Sequence, residues 1–586
     1  MLIEDTIAMD SRLEEAVKDD FRVGSWLVSP SLNSISHQGR TVRLEPKVMG
    51  VLLCLAQHPG ETLSKEQLFQ AVWPNVVVTD DVLKRCVAEL RRAFEDDARE
   101  PRVIETISKR GYRLVAQVSA AATATTLDEG VLRDSIVVLP FINMSADPES
   151  EYFADGITEE IINALAQITE LHVVARSSSF SFKGRHVDPR IIGEQLNVRT
   201  VLEGGVRRAD NRLRITAQLV KAADGYHLWS ERYDREMTDV FAIQEEIARG
   251  IVQRLKVCGE PVVKAVTPNL DAYDSYLKGR TLLYRRGLSI PLALEGCKRA
   301  VELDPNYALA WAGLADSCTA LGFFGLTPPQ ETMLKAIEAA RRAVALDSSL
   351  AEGHNALAMA SLMGAWDRAE ARREFDRALQ LNPKYTQAID WHAYFFLQLS
   401  EGRLTEGMEQ ARLALVCDPL SGYAHAMFAL TCVVAGKTAE GEEAGRRAVE
   451  LDPENYLAQF VLQEALRVGR RFEESVATGE LALAMSGRHG WSMTVLALTL
   501  ADWGKASDAD AVYCEMRARA RREYVSPATL AIAASAAARE DEAISHAREA
   551  YEIRDPNCQH FFRYFSSSAQ LYRYPWLREF MAVRPQ

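Results

Sequence analysis

The sequence predicts a multidomain chain: a small α+β module, then a small α/β domain, then an all-α superhelix of repeats. Three observations lead to this. Residues 79–113 read as one amphipathic helix followed by a two-stranded ribbon turned at Lys109-Arg110-Gly111. Residues 135–256 alternate short strand-like and helix-like apolar patterns. From about residue 270 the chain runs helix after helix, and a recurring mark ends at Pro305, Ser348, Pro383, Pro419 and Pro453, at intervals of 43, 35, 36 and 34 residues. Self-similarity at such a period signals stacked repeats. At 586 residues the chain also exceeds what one hydrophobic core organises.

Composition narrows the class. With 48% hydrophobic and 25% charged residues the chain is an ordinary globular protein. Its net charge of −13 is unevenly spread. Residues 1–20, a frayed acidic arm, carry −5, whereas residues 21–118 carry +3 and everything after them −11. The segment with a positive balance therefore holds the helix and ribbon, as a nucleic-acid-binding module requires. The nine cysteines show no CxxC pair and no cysteine–histidine metal spacing, so no metal is expected and reduced thiols are. The opening residues are acidic and polar, unlike a signal peptide, and no uncharged apolar run reaches the ~18 residues of a membrane span. A cytoplasmic location with no membrane partner follows as the expectation.

The first module is taken in order. Residues 21–28, 31–35 and 41–44 are strand-like pieces separated by Pro30, Asn33 and Gly39. Pro46 opens a helix through about Gln57 that buries Val48, Val51, Leu52 and Leu55. Ser64 and Gln67 form a capping box for the next helix, which points Leu68, Val72 and Trp73 inward. Thr79 N-caps the third helix, with Asp80 and Asp81 in its first turn. Leu83, Val87, Leu90 and Phe94 make its buried stripe, leaving Lys84, Arg85, Ala88, Arg91 and Arg92 on the flanks and far face. A cationic helix beside a basic-tipped ribbon suits a major groove and its phosphates.

These residues carry a resemblance. LEPKVMGVLLCLAQHPGETLSKEQLFQAVW, VVTDDVLKRCVAELRRAFEDD and PRVIETISKRGYRL resemble the winged-helix effector domain of OmpR-type regulators, and within it the CadC-like branch. The resemblance covers residues 21–118. It implies that residues 82–94 are the recognition helix and 109–112 the wing tip. Lys84, Arg85, Ala88, Arg91, Arg92, Lys109, Arg110 and Tyr112 are then the DNA-binding candidates, on double-stranded DNA. Family analogy adds RNA polymerase as a partner of the loop Asn75, Val76, Val77 and Val78, and a homodimer on repeated half-sites. Ala88 and Glu89 stand where many relatives carry arginine, so base contacts do not transfer residue by residue. With twenty residues before the module no receiver domain is expected, and the small-residue linker 119–134 is expected in place of the membrane helix of the CadC branch.

The second unit, 135–260, reads as strand 135–141, an Asp155-Gly156 turn, helix 158–168, strand 171–175, helix 190–196, a hairpin across Asp210-Asn211, and helix 240–255. IVVLPFINMSADPESEYFADGITEEI, ARSSSFSFKGR, LEGGVRRADNRLRITAQLV and HLWSERYDRE resemble the TolB-N-terminal-like domain, found beside tetratricopeptide arrays in bacterial regulators and adenylyl cyclases. Arg176 to Ser179 follows a strand, so it reads either as an anion-holding loop or as a polar turn capping backbone. Tyr226, Trp229 and Tyr233 read as strand and core residues. No phosphate-binding glycine motif occurs, so no cofactor is expected.

In residues 270–586, Ala300, Ala343, Ala378, Ala414 and Ala448 each stand five residues before a mark, where small side chains let paired helices approach. With Trp311, Trp391 and Leu314-Ala315 they resemble tetratricopeptide repeats, seven or eight of them ending in a cap. The insertion LGFFGLTPP lengthens one turn. The superhelix should present a concave groove for an unidentified protein or peptide. Trp391, His392, Tyr394 and Phe395 either line it or serve as packing. The pairs Arg341-Arg342, Arg372-Arg373 and Arg446-Arg447 read as a basic ladder for an acidic partner or as a solvated outer face.

No catalytic motif appears, and a non-enzyme is expected. The layout resembles HilA-type regulators: a DNA-binding transcription regulator whose α/β and repeat domains sense a signal or partner and oligomerise. The alternative is an interaction scaffold whose winged helix binds protein. Cations on both helix and wing separate the two, since a protein-binding winged helix has no need of them.

Overall fold

The computed structural model describes residues 21–562 apart from 25, 31–33, 38–39, 59, 74–79, 95, 97–100, 108–109, 117, 121–133, 146, 148–149, 167, 169, 210–211, 258–266 and 286–288. The chain forms two compact units, Met1–Glu129 and Gly130–Gln586.

In the first unit β1 (Phe21–Val23), β2 (Trp26–Ser29), β3 (Ser34–His37) and β4 (Arg40–Arg43) precede α1 (Pro46–Ala56), β5 (Thr62–Leu63), α2 (Lys65–Val72) and α3 (Asp80–Phe94). Then come β6 (Ile104–Ile107), β7 (Gly111–Leu114) and β8 (Val118–Ala120). One sheet has the order β4-β3-β2-β1-β8 and the other β5-β7-β6. The single strand expected at 21–28 is a hairpin, because Gly24 takes a left-handed φ of 61° and pairs Val23 with Trp26. The capping box is present: Gln67 N–H donates to Ser64 Oγ at 3.2 Å, and Ser64 N–H to Gln67 Oε1 at 2.8 Å. Thr79 lies outside the described residues.

The second unit opens with β9 (Ser135–Val138), β10 (Ile142–Asn143), α4 (Glu151–Ala166), β11 (His172–Val173), α5 (Arg176–Phe180) and α6 (Pro189–Leu196). The long strands β12 (Thr200–Ala209), β13 (Arg212–Lys221) and β14 (His227–Glu236) and the helix α7 (Val240–Leu255) follow. The sheet order is β11-β9-β12-β13-β14, with β10 also pairing β12. β9 is parallel to β11 and β12, as a β-α-β-α-β reading requires, and the hairpin pairs Ala209 with Arg212. The expected turn at Asp155-Gly156 is wrong. Both residues lie inside α4, where Lys183 pairs with Asp155 at 2.6 Å and a Cβ on Gly156 would stand 2.4 Å from Leu277. The glycine is there for close helix packing, a reason that emerges only with the tertiary neighbour. Tyr226 is exposed, which corrects its core reading, while Tyr233 is buried.

Eight helical pairs follow among the described residues, from Leu270–Arg285 with Ile290–Leu303 to Pro527–Ala536 with Glu540–Glu552. All five marker alanines are fully buried, and each carbonyl accepts the N–H of the Asp or Asn that ends its helix. The first repeat and the start of the second share one core with the α/β sheet through Tyr273, Tyr276 and Tyr307.

The interior of the array differs from the open groove expected. The inserted segment does more than lengthen a turn. Phe323 and Phe324 pack into an aromatic centre, with Phe324 stacked on Trp491 at 4.8 Å and Trp491 on His560 at 5.2 Å. Trp391, His392, Tyr394 and Phe395 are all buried. The arginine pairs supply a ladder whose acidic partner is the next repeat. Arg341 bonds Glu370 at 3.0 Å, Arg372 bonds Glu401 at 2.6 Å, and Arg446 bonds Glu474 at 3.0 Å. Such exposed pairs contribute little each, about 0–1 kcal/mol, and serve mainly as register.

Candidate nucleic-acid interface

The helix α3 is held by its apolar stripe. Leu83, Cys86, Val87, Leu90, Ala93 and Phe94 are buried, in one core with Val48, Val51, Leu52 and Leu55 of α1 and with Ile104 and Leu114 of the ribbon. Trp26 of the first sheet meets Phe94 edge-on at 5.6 Å. This packing leaves Val82, Lys84, Arg85, Ala88 and Arg92 exposed along the outer face. Arg85, Ala88 and Arg92 follow one another at helical spacing.

Close contacts also place the ribbon. Leu63 pairs with Tyr112 and Thr62 with Arg113, making a third strand that the sequence pattern did not reveal. Gly111 has φ 147°, and a Cβ there would lie 1.9 Å from the Leu63 carbonyl oxygen. Only glycine lets the two strands approach so closely. Arg110 is exposed at the turn and donates its N–H to Ile107 O at 3.0 Å. Arg113 pairs with Glu105 across the ribbon at 2.6 Å.

The eight candidates divide by environment. Arg85, Arg92 and Arg110 are exposed and make no ion pair among the described residues. Ala88 is exposed between the helix cations. Lys84 is exposed but paired with Asp81 at 2.8 Å, and that hydrogen bond raises the lysine's pKa and lowers the aspartate's. Arg91 is half-buried, and its guanidinium donates to Ile104 O at 2.8 Å and Thr106 Oγ1 at 2.9 Å. It ties helix to ribbon, which corrects its expected place among the outward cations. Tyr112 is buried, correcting its place at the tip. Lys109 and the loop Asn75, Val76, Val77 and Val78 lie outside the described residues.

Sequence reasoning missed Asp96. Its carboxylate accepts from the N–H groups of Arg102 at 2.6 Å, Val103 at 3.1 Å and Ile104 at 2.9 Å. It sets where the ribbon leaves the helix. Lys65 at the start of α2 also pairs with Asp80 at the start of α3. An acidic residue a few positions before an unpaired strand start was the available signal.

Among the described residues no helix is long and apolar enough to cross a membrane, no group of side chains is set to hold a metal ion, and the eight cysteines are unpaired thiols.

Comparison with known proteins agrees with this geometry. Residues 39–114 match the profile of the family "Transcriptional regulatory protein, C terminal". The transcriptional activator CadC of Escherichia coli is 45% identical over 98 residues, 17% of this chain and 19% of that protein. Its DNA-binding domain, as a solved structure, is 42% identical with a TM-score of 0.17, covering 17% of this chain and 96% of that one. A candidate adenylate cyclase of Rhizobium meliloti is 44% identical over 250 residues, 41% of this chain and 42% of that protein. The transcriptional regulator HilA of Salmonella typhimurium is 26% identical over 329 residues, 54% of this chain and 56% of that protein. The matches thus span about half or less of these relatives' own lengths. Together with the helix, ribbon and core described above, the match assigns residues 39–114 to the DNA-binding family of transcriptional regulatory proteins, the OmpR/PhoB-type winged helix.

Proposed function

We propose that this chain is a DNA-binding transcription regulator of the cytoplasm, non-catalytic, whose second unit receives a signal or a partner. The observation that carries the reading is the exposed row of Arg85 and Arg92 on α3, together with Arg110 at the ribbon tip. In this reading α3 lies in a major groove, with Arg85, Ala88 and Arg92 toward base edges and Lys84 near the backbone. Arg110 and Lys109 meet phosphate beside the groove. The net +3 of residues 21–118 is modest, so two copies on repeated half-sites supply the affinity that one lacks. RNA polymerase contact through residues 75–78 rests on the family resemblance.

Gel retardation with genomic fragments tests the proposal. Binding should weaken steeply with salt, and Arg85→Ala with Arg110→Ala should abolish retardation. Retardation that ignores both salt and this double substitution sinks it. A reporter assay with residues 75–78 replaced tests the polymerase contact, which unchanged activation would remove.

A further inference from the structure

Where the α/β sheet meets the repeats there is a cavity of about 510 Å³. One wall is the end of α4, β11 and α5, and the other comes from the repeats, including Glu352 and Asp390. A smaller apolar pocket of about 80 Å³ adjoins it under Trp391, Phe395 and Leu457. Arg280, Tyr284 and Tyr385 line both spaces.

Arg176 lines the larger cavity, with Lys183, Arg185, Arg280 and Lys384. Its guanidinium carbon stands 3.9 Å from the ring centre of Phe180 and 4.2 Å from that of Tyr284. Two rings hold the plane of the guanidinium, yet its enclosed Nε has no hydrogen-bond partner. Glu159 Oε2 is 3.3 Å away without bonding geometry. The other oxygen of that carboxylate, Oε1, pairs with Arg280 at 2.8 Å and accepts from the Tyr284 hydroxyl at 3.0 Å. The serines beside Arg176 are committed elsewhere: Ser178 to Asp418 and Ser179 to the Val138 carbonyl. In the inner pocket the Thr319 hydroxyl, 4% exposed, also has no partner.

Arg176 lines the cavity as a ring-stacked guanidinium paired, among the described residues, only with Glu159, and such a planar fork matches the paired oxygens of a carboxylate or phosphate. The inner pocket is smaller than the ~150 Å³ that accepts a benzene ring, so it suits a short aliphatic chain. We propose that the cavity and its adjoining pocket bind a small organic acid, its carboxylate or phosphate on the Arg176 fork and its chain beside Thr319. Glu352 and Asp390 on the far wall then face any hydroxyl or ammonium the ligand carries. This inference rests on the reading of the second unit as the sensing part, and it names that part's ligand class.

The test is titration of the full-length chain, without DNA, with valerate, n-butyl phosphate, valeramide and inorganic phosphate, read by tryptophan fluorescence and by the unfolding midpoint. Saturable binding of valerate or butyl phosphate is expected, and the tighter of the two names the head group. Valeramide and inorganic phosphate should each bind at least ~10-fold more weakly, lacking the charge or the chain. Arg176→Gln and the charge-preserving Arg176→Lys should both lose about tenfold in affinity while unfolding at the wild-type midpoint. The proposal is overturned if neither acid saturates, if valeramide matches valerate, or if folded Arg176→Gln binds as the parent does. Gel retardation of the same preparations is scored separately. Lost retardation with acid binding intact would remove the regulator reading and leave this site standing.

Discussion

Ser178 holds Asp418 with two hydrogen bonds, 2.7 Å from its backbone N–H and 2.6 Å from its hydroxyl. The same hydroxyl accepts the Leu420 N–H at 2.8 Å. The serine segment expected as an anion-holding loop or a polar turn is the short helix α5, and the anion it binds belongs to the chain itself. Asp418 ends a repeat helix, so this pair joins the α/β sheet to the middle of the array. Burial raises the Asp418 pKa, partly offset by the serine donors.

Removing that carboxylate should loosen the junction. Asp418→Ala leaves a buried N–H and hydroxyl unpaired and should cost about 2–4 kcal/mol of unfolding free energy. Ser178→Ala keeps the backbone donor but also takes the acceptor from the Leu420 N–H, and should cost about 1–2 kcal/mol. Urea titration followed by tryptophan fluorescence measures both, and equal costs would show that the backbone N–H contributes nothing.

Arg91 and Arg92 are neighbours with different duties, and substitution should separate them. Arg92→Ala should reduce the slope of log affinity against log salt by about one without changing stability. Arg91→Ala should lower the stability of the first unit by about 1–3 kcal/mol, because its two ribbon acceptors lose their donor. Retardation across a salt series and thermal unfolding distinguish them.

Gly111→Ala should disrupt the ribbon. The added Cβ would meet backbone, the Leu63 carbonyl, at 1.9 Å, and the φ of 147° is strained for any side chain. A loss of about 3 kcal/mol or more is expected, seen as a lowered midpoint for the first unit and lost retardation. A wild-type midpoint would contradict the strand contact.

Two groups give the second unit opposite pH slopes. Burial pushes the Glu160 carboxyl up to about 7. Its stabilising contribution is complete below the ordinary glutamate value of ~4.3 and is lost as pH rises through about 7. Glu160→Gln should flatten that decline. Burial also holds His489 down at about 4. Its Nε2–H donates to the Phe324 carbonyl at 2.6 Å, and its Nδ1 accepts from Tyr456 at 2.9 Å, an arrangement that suits the neutral ring. That contribution is present above the ordinary ~6.5 and is lost as pH falls toward about 4. His489→Gln should remove the acid-side loss. Unfolding midpoints over the pH range, parent beside variant, read both slopes.

The winged helix was legible because local signals agreed with the tertiary result. The Leu83–Phe94 stripe and the Ser64–Gln67 box each specify their element through neighbours close in sequence. The repeat register was legible for the same reason, since the marker alanines recur with the helices they pack. Contacts between residues far apart decided the rest. Asp155-Gly156 resembles a turn until Lys183 and Leu277 arrive. Arg91 resembles Arg92 until the Ile104 carbonyl captures it. The concave groove looks open until Phe324 stacks on Trp491, 167 residues on. Periodicity reports which face of an element is apolar; only the packed chain shows which polar group finds a partner and which, like the Arg176 Nε, is left without a hydrogen bond.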